Sequence, residues 1–152
     1  TAFYSKKDII EFKKAKKSKY IGYLSVFEIS NWDKELINKL NEDDYLIYKD
    51  KNIKNENYNN YVANINSEHY RNLLIDLIDE RIIKKGFDGV FLDTIDWIDY
   101  YKNEEIVNDM IYGYKLFLKN IKNKYPDLII YQNRGFHSFN CFSSSFIDGR
   151  FW

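Results

Sequence analysis

The chain has 152 residues, enough for one domain with a substantial core, and its 45% hydrophobic and 30% charged residues exclude a disordered protein. Basic and acidic residues balance at 23 each, so no basic surplus points to nucleic acid as a partner. The single Cys141 excludes a disulfide framework and a multi-cysteine metal site, and no stretch reaches the roughly 18 apolar residues of a membrane span.

Residues 5–17 place Ile9, Ile10 and Phe12, with Phe3, on one face behind the potential N-cap Ser5, the pattern of a short amphipathic helix whose lysine-rich end is solvated. Residues 20–29 are a continuous aromatic and β-branched run, as expected of a strand buried on both faces of a parallel sheet. Residues 33–40 read as a short helix, 45–48 as a short extended piece, the Asn-rich 49–60 as loop and 61–65 as a second strand. Ser67 caps a helix through Leu73, Leu74, Leu77, Ile78 and Ile82 that stops at Gly86. Residues 87–92 form the next buried strand, ending at Asp93. A long amphipathic helix over 104–124 is stopped by Pro126, strand 128–131 runs into Gln132 and Asn133, and 146–152 begins one more strand.

Strand and helix alternating with Gly or Pro stops is the signature of parallel βαβ units. The expectation is therefore α/β, of (β/α)8 TIM-barrel type, with about five parallel strands in one domain over 1–152. A closed barrel takes about 250 residues, so the barrel reads as incomplete and truncated at both ends. The structural alternative, a doubly wound open sheet, usually carries a Gly-rich phosphate loop after its first strand, and none is present here.

In such barrels the site lies at the C-terminal ends of the strands. Those ends supply Glu28, then Asp93 with Asp96, then Gln132 with Asn133, and Asp148 near the last strand. Clustered carboxylates beside amides and aromatics suit glycoside hydrolysis, in which one carboxylate attacks or stabilises the anomeric carbon and another protonates the leaving oxygen. Asp93 and Glu28 are the catalytic candidates. Asp96, Trp97, Tyr23, Gln132, Asn133 and Asp148 are the candidates for binding a polysaccharide or oligosaccharide, with Tyr100 and Tyr101 as further stacking rings. Asp96 and Asp99 also suit loop caps. His69 and His137 lack ligand spacing, so no metal or cofactor is assigned; Cys141 has His137 nearby but no further sign of a nucleophile. A non-catalytic carbohydrate-binding barrel and a metal-assisted hydrolase are the competing readings.

The segments GYLSVFEISNW (22–32), GFDGVFLDTIDW (86–97) and YQNRG (131–135) resemble, in order and spacing, the motifs of glycoside hydrolase family 114, the endo-α-1,4-polygalactosaminidases and their relatives. The resemblance covers nearly all of the chain from Ile21 onward, and GFDGVFLD is its most specific part. It implies a (β/α)8 barrel, secreted or acting at the cell surface, that hydrolyses α-1,4-linked galactosamine-rich polysaccharide; a signal peptide is not in this chain, which opens at Thr1 without Met. It implies Asp93 as the nucleophile and Glu28 as a sugar-binding or charge-tuning residue, with general acid as its secondary role. The family's second acid is a Glu at the end of a later strand, expected just after Trp152. Phe27 stands where relatives commonly have Gly, and its ring is expected to narrow the cleft or reorient Glu28.

Overall fold

A computed structural model describes residues 4–151; Phe3 and Trp152, placed above on a helix face and in the last strand, lie outside the described residues. Helix α1 (Lys6–Ala15) starts at a capping box in which the Ser5 hydroxyl accepts the Asp8 N–H and the Asp8 carboxylate accepts the Ser5 N–H. Strand β1 (Ile21–Ser25) then ends, because the chain turns at Val26 and Phe27, and β2 (Glu28–Ile29) joins a different sheet. The continuous run expected over 20–29 is thus two strands. Helix α2 (Lys34–Ile37) is capped by Asp33. Strands β3 (Ile47–Tyr48) and β4 (Lys51–Asn52) form a hairpin whose turn residues, Lys49 and Asp50, are both left-handed, at φ 50° and 60°. Strands β5 (Lys54–Asn55) and β6 (Asn60–Val62) complete an antiparallel sheet in the order β2-β6-β5.

Helix α3 (Glu68–Ile78) carries Ser67 as its N-cap and runs on through a wide π turn to Gly86, whose φ of 84° ends it. There the Phe87 N–H bonds Ile82 O and the Gly86 N–H bonds Ile83 O, the paired closure of a left-handed C-cap. The remaining elements are β7 (Gly89–Asp93), α4 (Trp97–Tyr100), α5 (Glu104–Lys124), β8 (Ile129–Asn133), α6 (Phe136–Cys141) and β9 (Gly149–Phe151).

The main sheet is parallel throughout, in the order β1-β7-β8-β9, which is the arrangement of one side of a (β/α) barrel. Among the described residues the parallel strands number four rather than about five, because the 61–65 segment pairs antiparallel with β2 and β5 instead of entering the barrel sheet. Leu24, Val90, Leu92 and Ile130 project to one face, where Leu74, Ile78, Tyr114, Phe117, Leu118 and Ile121 of α3 and α5 cover them completely. Each such side chain contributes about 1.5–3 kcal/mol, so this face holds the sheet to its helices. The opposite face, the inner one in a barrel, carries a row of rings: Tyr23 against Phe91 (6.4 Å between centroids), Phe91 against Phe151 (5.6 Å) and Phe151 against Tyr131 (5.5 Å).

At the start of β7 and again of β9 an Asp-Gly pair repeats one device. Asp88 exchanges bonds with Tyr20, and Asp148 with Ile130: each side chain accepts the neighbour's N–H and each backbone N–H goes to the neighbour's carbonyl. The glycines are needed because a Cβ on Gly89 would meet Ile129 O at 2.4 Å and one on Gly149 the Tyr131 ring at 2.5 Å.

Candidate active site

The register fixes which side chains meet at the C-terminal edge. Ser25 pairs with Asp93, and one step past Leu92↔Gln132 come Asp93 and Asn133. The Asp93 carboxylate accepts from the Tyr23 hydroxyl at 2.8 Å, from Asn133 Nδ2 at 2.7 Å and from the Thr94 N–H at 2.8 Å. Burial, followed by the charge of Asp93, pushes the Tyr23 phenol well above its ordinary value, so it keeps its proton and remains a donor. The aspartate is thereby oriented through three neutral groups.

Glu28, 7% exposed, is held the same way. Its Oε1 accepts from Asn55 Nδ2 at 2.7 Å and from the Trp97 indole N–H at 2.9 Å, and its Oε2 from Asn60 Nδ2 at 2.9 Å. Donors therefore converge on both oxygens of Glu28. Asn55 lies in β5 and Asn60 in β6, so the small antiparallel sheet exists, in functional terms, as the clamp on Glu28.

The cations of the site are already engaged. Arg81 forks onto both oxygens of Asp33 and reaches Glu35 at 3.2 Å, and Arg134 pairs with Asp96 at 3.1 Å. Burial pushes the Asp96 carboxyl above its usual range, and Arg134 offsets this only in part. Asp99 accepts the N–H groups of Phe136 and His137 and so fixes the start of α6. These groups enclose a pocket of about 710 Å³ whose lining includes Tyr23, Glu28, Trp32, Asp93, Asp96 and Asn133. A groove of about 320 Å³, lined by Trp97, Tyr100, Lys54 and Glu56, adjoins it and shares Glu28, Asn55 and Asp96.

The structure therefore brings together Asp93, Glu28, Asp96, Trp97, Tyr23 and Asn133 of the residues expected from sequence. Gln132 is beneath the site: fully buried, it accepts from Tyr114 and donates to the Arg134 and Gly135 carbonyls. Asp148 belongs to the opposite end of the sheet, where it bonds Ile130 and pairs with Lys122 at 3.6 Å; a residue preceding its strand cannot reach the strand's C-terminal edge. The Phe27 ring does not narrow the cleft: it is fully buried in the core, edge-on against Tyr114 at 5.9 Å, and is not part of the pocket lining. His137 and Cys141 sit 3.7 Å apart on α6, outside the pocket lining. Sequence reading missed Asn55, Asn60, Tyr58, Arg81, Thr94 and Arg134. Among the described residues no three His, Cys, Asp or Glu side chains are gathered as a metal site, and no helix is long and apolar enough to cross a membrane.

Comparison with known proteins gives the following likenesses. A family profile described as glycoside-hydrolase family GH114 matches residues 2–146. Among solved structures, the glycoside hydrolase domain of PelA from Pseudomonas aeruginosa is similar at 22% identity and a TM-score of 0.79, over 98% of this chain and 55% of that one. Aspergillus fumigatus Ega3, solved in complex with galactosamine, is similar at 16% identity and a TM-score of 0.56, over 95% of this chain and 64% of that one. Eubacterium rectale Amy13B is similar at 18% identity and a TM-score of 0.66, over 96% and 33%. At such identities the structures speak for the fold, and this chain spans about half the length of the PelA domain. A search of curated proteins finds no match.

Proposed function

Because the chain belongs to glycoside-hydrolase family GH114, we propose that its pocket takes part in cleaving an α-1,4-linked, galactosamine-containing polysaccharide by a two-carboxylate, retaining mechanism, outside the cell or at its surface. The observation that carries this reading is Asp93: a carboxylate at a strand end, oriented by three neutral donors and open to a pocket large enough for a sugar. In this reading an Asp93 oxygen bonds the anomeric carbon as the glycosidic C–O bond breaks, and the leaving oxygen takes a proton from a second acid. Water then hydrolyses the ester on the opposite course. Glu28, an acceptor already supplied with three donors, binds and attracts the sugar rather than protonating it. For the proton donor we look to a Glu at the end of this last strand, just after Trp152; the register Asn133↔Phe151 supports a group there near the amide that holds Asp93. Residues 1–152 are on this reading part of one (β/α)8 barrel.

Two features favour an amino sugar. Ega3, a structural likeness, was solved with galactosamine. In this chain Arg81 and Arg134 are engaged by Asp33, Glu35 and Asp96, whereas the contacts that hold Glu28 and Asp93 come from neutral groups, so the pocket attracts cations locally although the whole chain is neutral. The groove with Trp97 and Tyr100 gives neighbouring sugars of a polymer a surface continuous with the pocket.

The test is incubation of the full-length protein and of Asp93→Asn with partly deacetylated α-1,4-galactosaminogalactan, followed by mass spectrometry of released oligosaccharides. Release by the wild type alone is the expected result. Retention of polymer by both proteins with release by neither would instead make the pocket a carbohydrate-binding site.

A further inference from the structure

Thr94 follows Asp93 and has a left-handed backbone, at φ 67°. For a β-branched residue this region is strained, and it persists only where the surroundings hold it. What holds it here is a closed set of hydrogen bonds. The Thr94 N–H goes to Asp93 Oδ1 at 2.8 Å and fixes that carboxylate. The hydroxyl accepts the N–H groups of Val26 at 3.2 Å and Phe27 at 2.8 Å and donates to the Asp93 carbonyl. Both lone pairs and the proton of Oγ1 are used, so the position calls for a hydroxyl. Ser25, opposite Asp93 in the ladder, donates its own hydroxyl proton to the Glu28 carbonyl at 2.7 Å, so its 3.3 Å contact with Thr94 Oγ1 is packing.

One residue thus meets both carboxylate-bearing segments, its backbone N–H on the Asp93 carboxylate and its hydroxyl on the turn that leads to Glu28. Beyond Ser25↔Asp93 the two strands part: β1 turns away through Val26 and Phe27 to deliver Glu28 into β2, while β7 leads on toward Asp96 and Trp97. We propose that Thr94 is a positioning residue, the pin at that fork, which sets where Glu28 stands relative to Asp93. The inference rests on the glycosidase reading of the pocket. Its left-handed backbone orients Asp93, and its hydroxyl orders the turn that carries Glu28. A valine keeps the shape and the β-branch but leaves the Phe27 N–H without its acceptor, so the turn is free to shift.

Three variants of the full-length protein test this on the galactosaminogalactan substrate, with thermal melts alongside. Thr94→Val should lower kcat by about a hundredfold, the scale of a displacement near 1 Å in a catalytic constellation, with KM much less changed. Thr94→Ser, which keeps the hydroxyl, should recover most of kcat. Thr94→Gly removes the backbone strain together with the hydroxyl, and it should be slow however well it folds. Gly or Val variants as fast as the wild type overturn the positioning role while leaving the glycosidase reading intact; a wild type that cleaves nothing overturns both. Should Thr94→Val fail to fold, the comparison of Ser with Gly decides: Gly relieves the backbone strain yet lacks the hydroxyl, so a Gly variant as fast as the Ser variant overturns the role.

Discussion

Asp33 shows how one carboxylate at the rim of the pocket is committed to structure. It accepts the Leu36 N–H at 3.2 Å as the cap of α2 and takes the Arg81 fork on both oxygens. Burial would raise its carboxyl, but the Arg81 bonds, the Leu36 N–H and the guanidinium charge outweigh burial and hold it below the ordinary carboxylate range. A lowered folded value means that this pairing stabilises the protein fully above the unfolded carboxylate range and is lost as pH falls through the folded value. Asp33→Asn keeps a competent cap yet loses the charge, so it should cost about 2 kcal/mol at pH 7 and progressively less as pH falls below the unfolded carboxylate range, measured by urea unfolding across that range. Asp96 has the opposite sign: its raised carboxyl favours the folded state at low pH, and that preference fades as pH climbs through the raised value. At this scale the sequence was legible where a polar residue directly follows an apolar strand, which is how Asp93 and Glu28 stand out. Asn55 and Asn60 were not, because amides in an Asn-rich stretch look alike until two short strands bring them onto Glu28. Gln132 shows the reverse error, since a strand-end amide can turn into the core when Tyr114 and two carbonyls are there to satisfy it.

Helix α5 was readable almost to the residue, because Asn103 caps it, its acidic residues lead, its lysines trail and Pro126 follows. Helices α4 and α6 were not, being too short to show a period; α6 owes its start to Asp99, 37 residues from Phe136 in sequence. The strand over 20–29 looked continuous because hydrophobicity does not register the Thr94 hydroxyl, which shares the Val26 N–H with the Asp93 carbonyl and takes the Phe27 N–H. Tertiary constraint also explains a glycine inside α5. A Cβ on Gly113 would meet Ile65 O at 2.5 Å and its carbonyl carbon at 2.7 Å. Gly113→Ala gains about 1 kcal/mol of helix propensity, but backbone atoms cannot yield as a side-chain tip can. A net destabilisation of about 1–3 kcal/mol is expected from overpacking, read as a lower denaturation midpoint with an unchanged slope.

At the scale of the molecule, alternating strand and helix with Gly and Pro stops pointed to the parallel sheet, while the fifth strand was misjudged because antiparallel pairing leaves no mark in an apolar run as short as 61–65. The zero net charge concealed the site's local imbalance for a related reason: a sum over the chain does not record which aspartates have arginine partners. The ring row from Tyr23 through Phe91 and Phe151 to Tyr131 has a colloidal consequence. Tyr23 is 41% and Phe151 52% exposed, and among the described residues β1 and β9 are the edges of the main sheet. A flat aromatic face between two open edges is a template for adding further strands, its own or another molecule's. Residues 1–152 expressed alone should therefore self-associate at micromolar concentration in sedimentation velocity, and Phe151→Lys, which charges both face and edge, should shift the distribution toward monomer. For this chain in solution, shelf life would be set by a row of rings before any question of turnover arises.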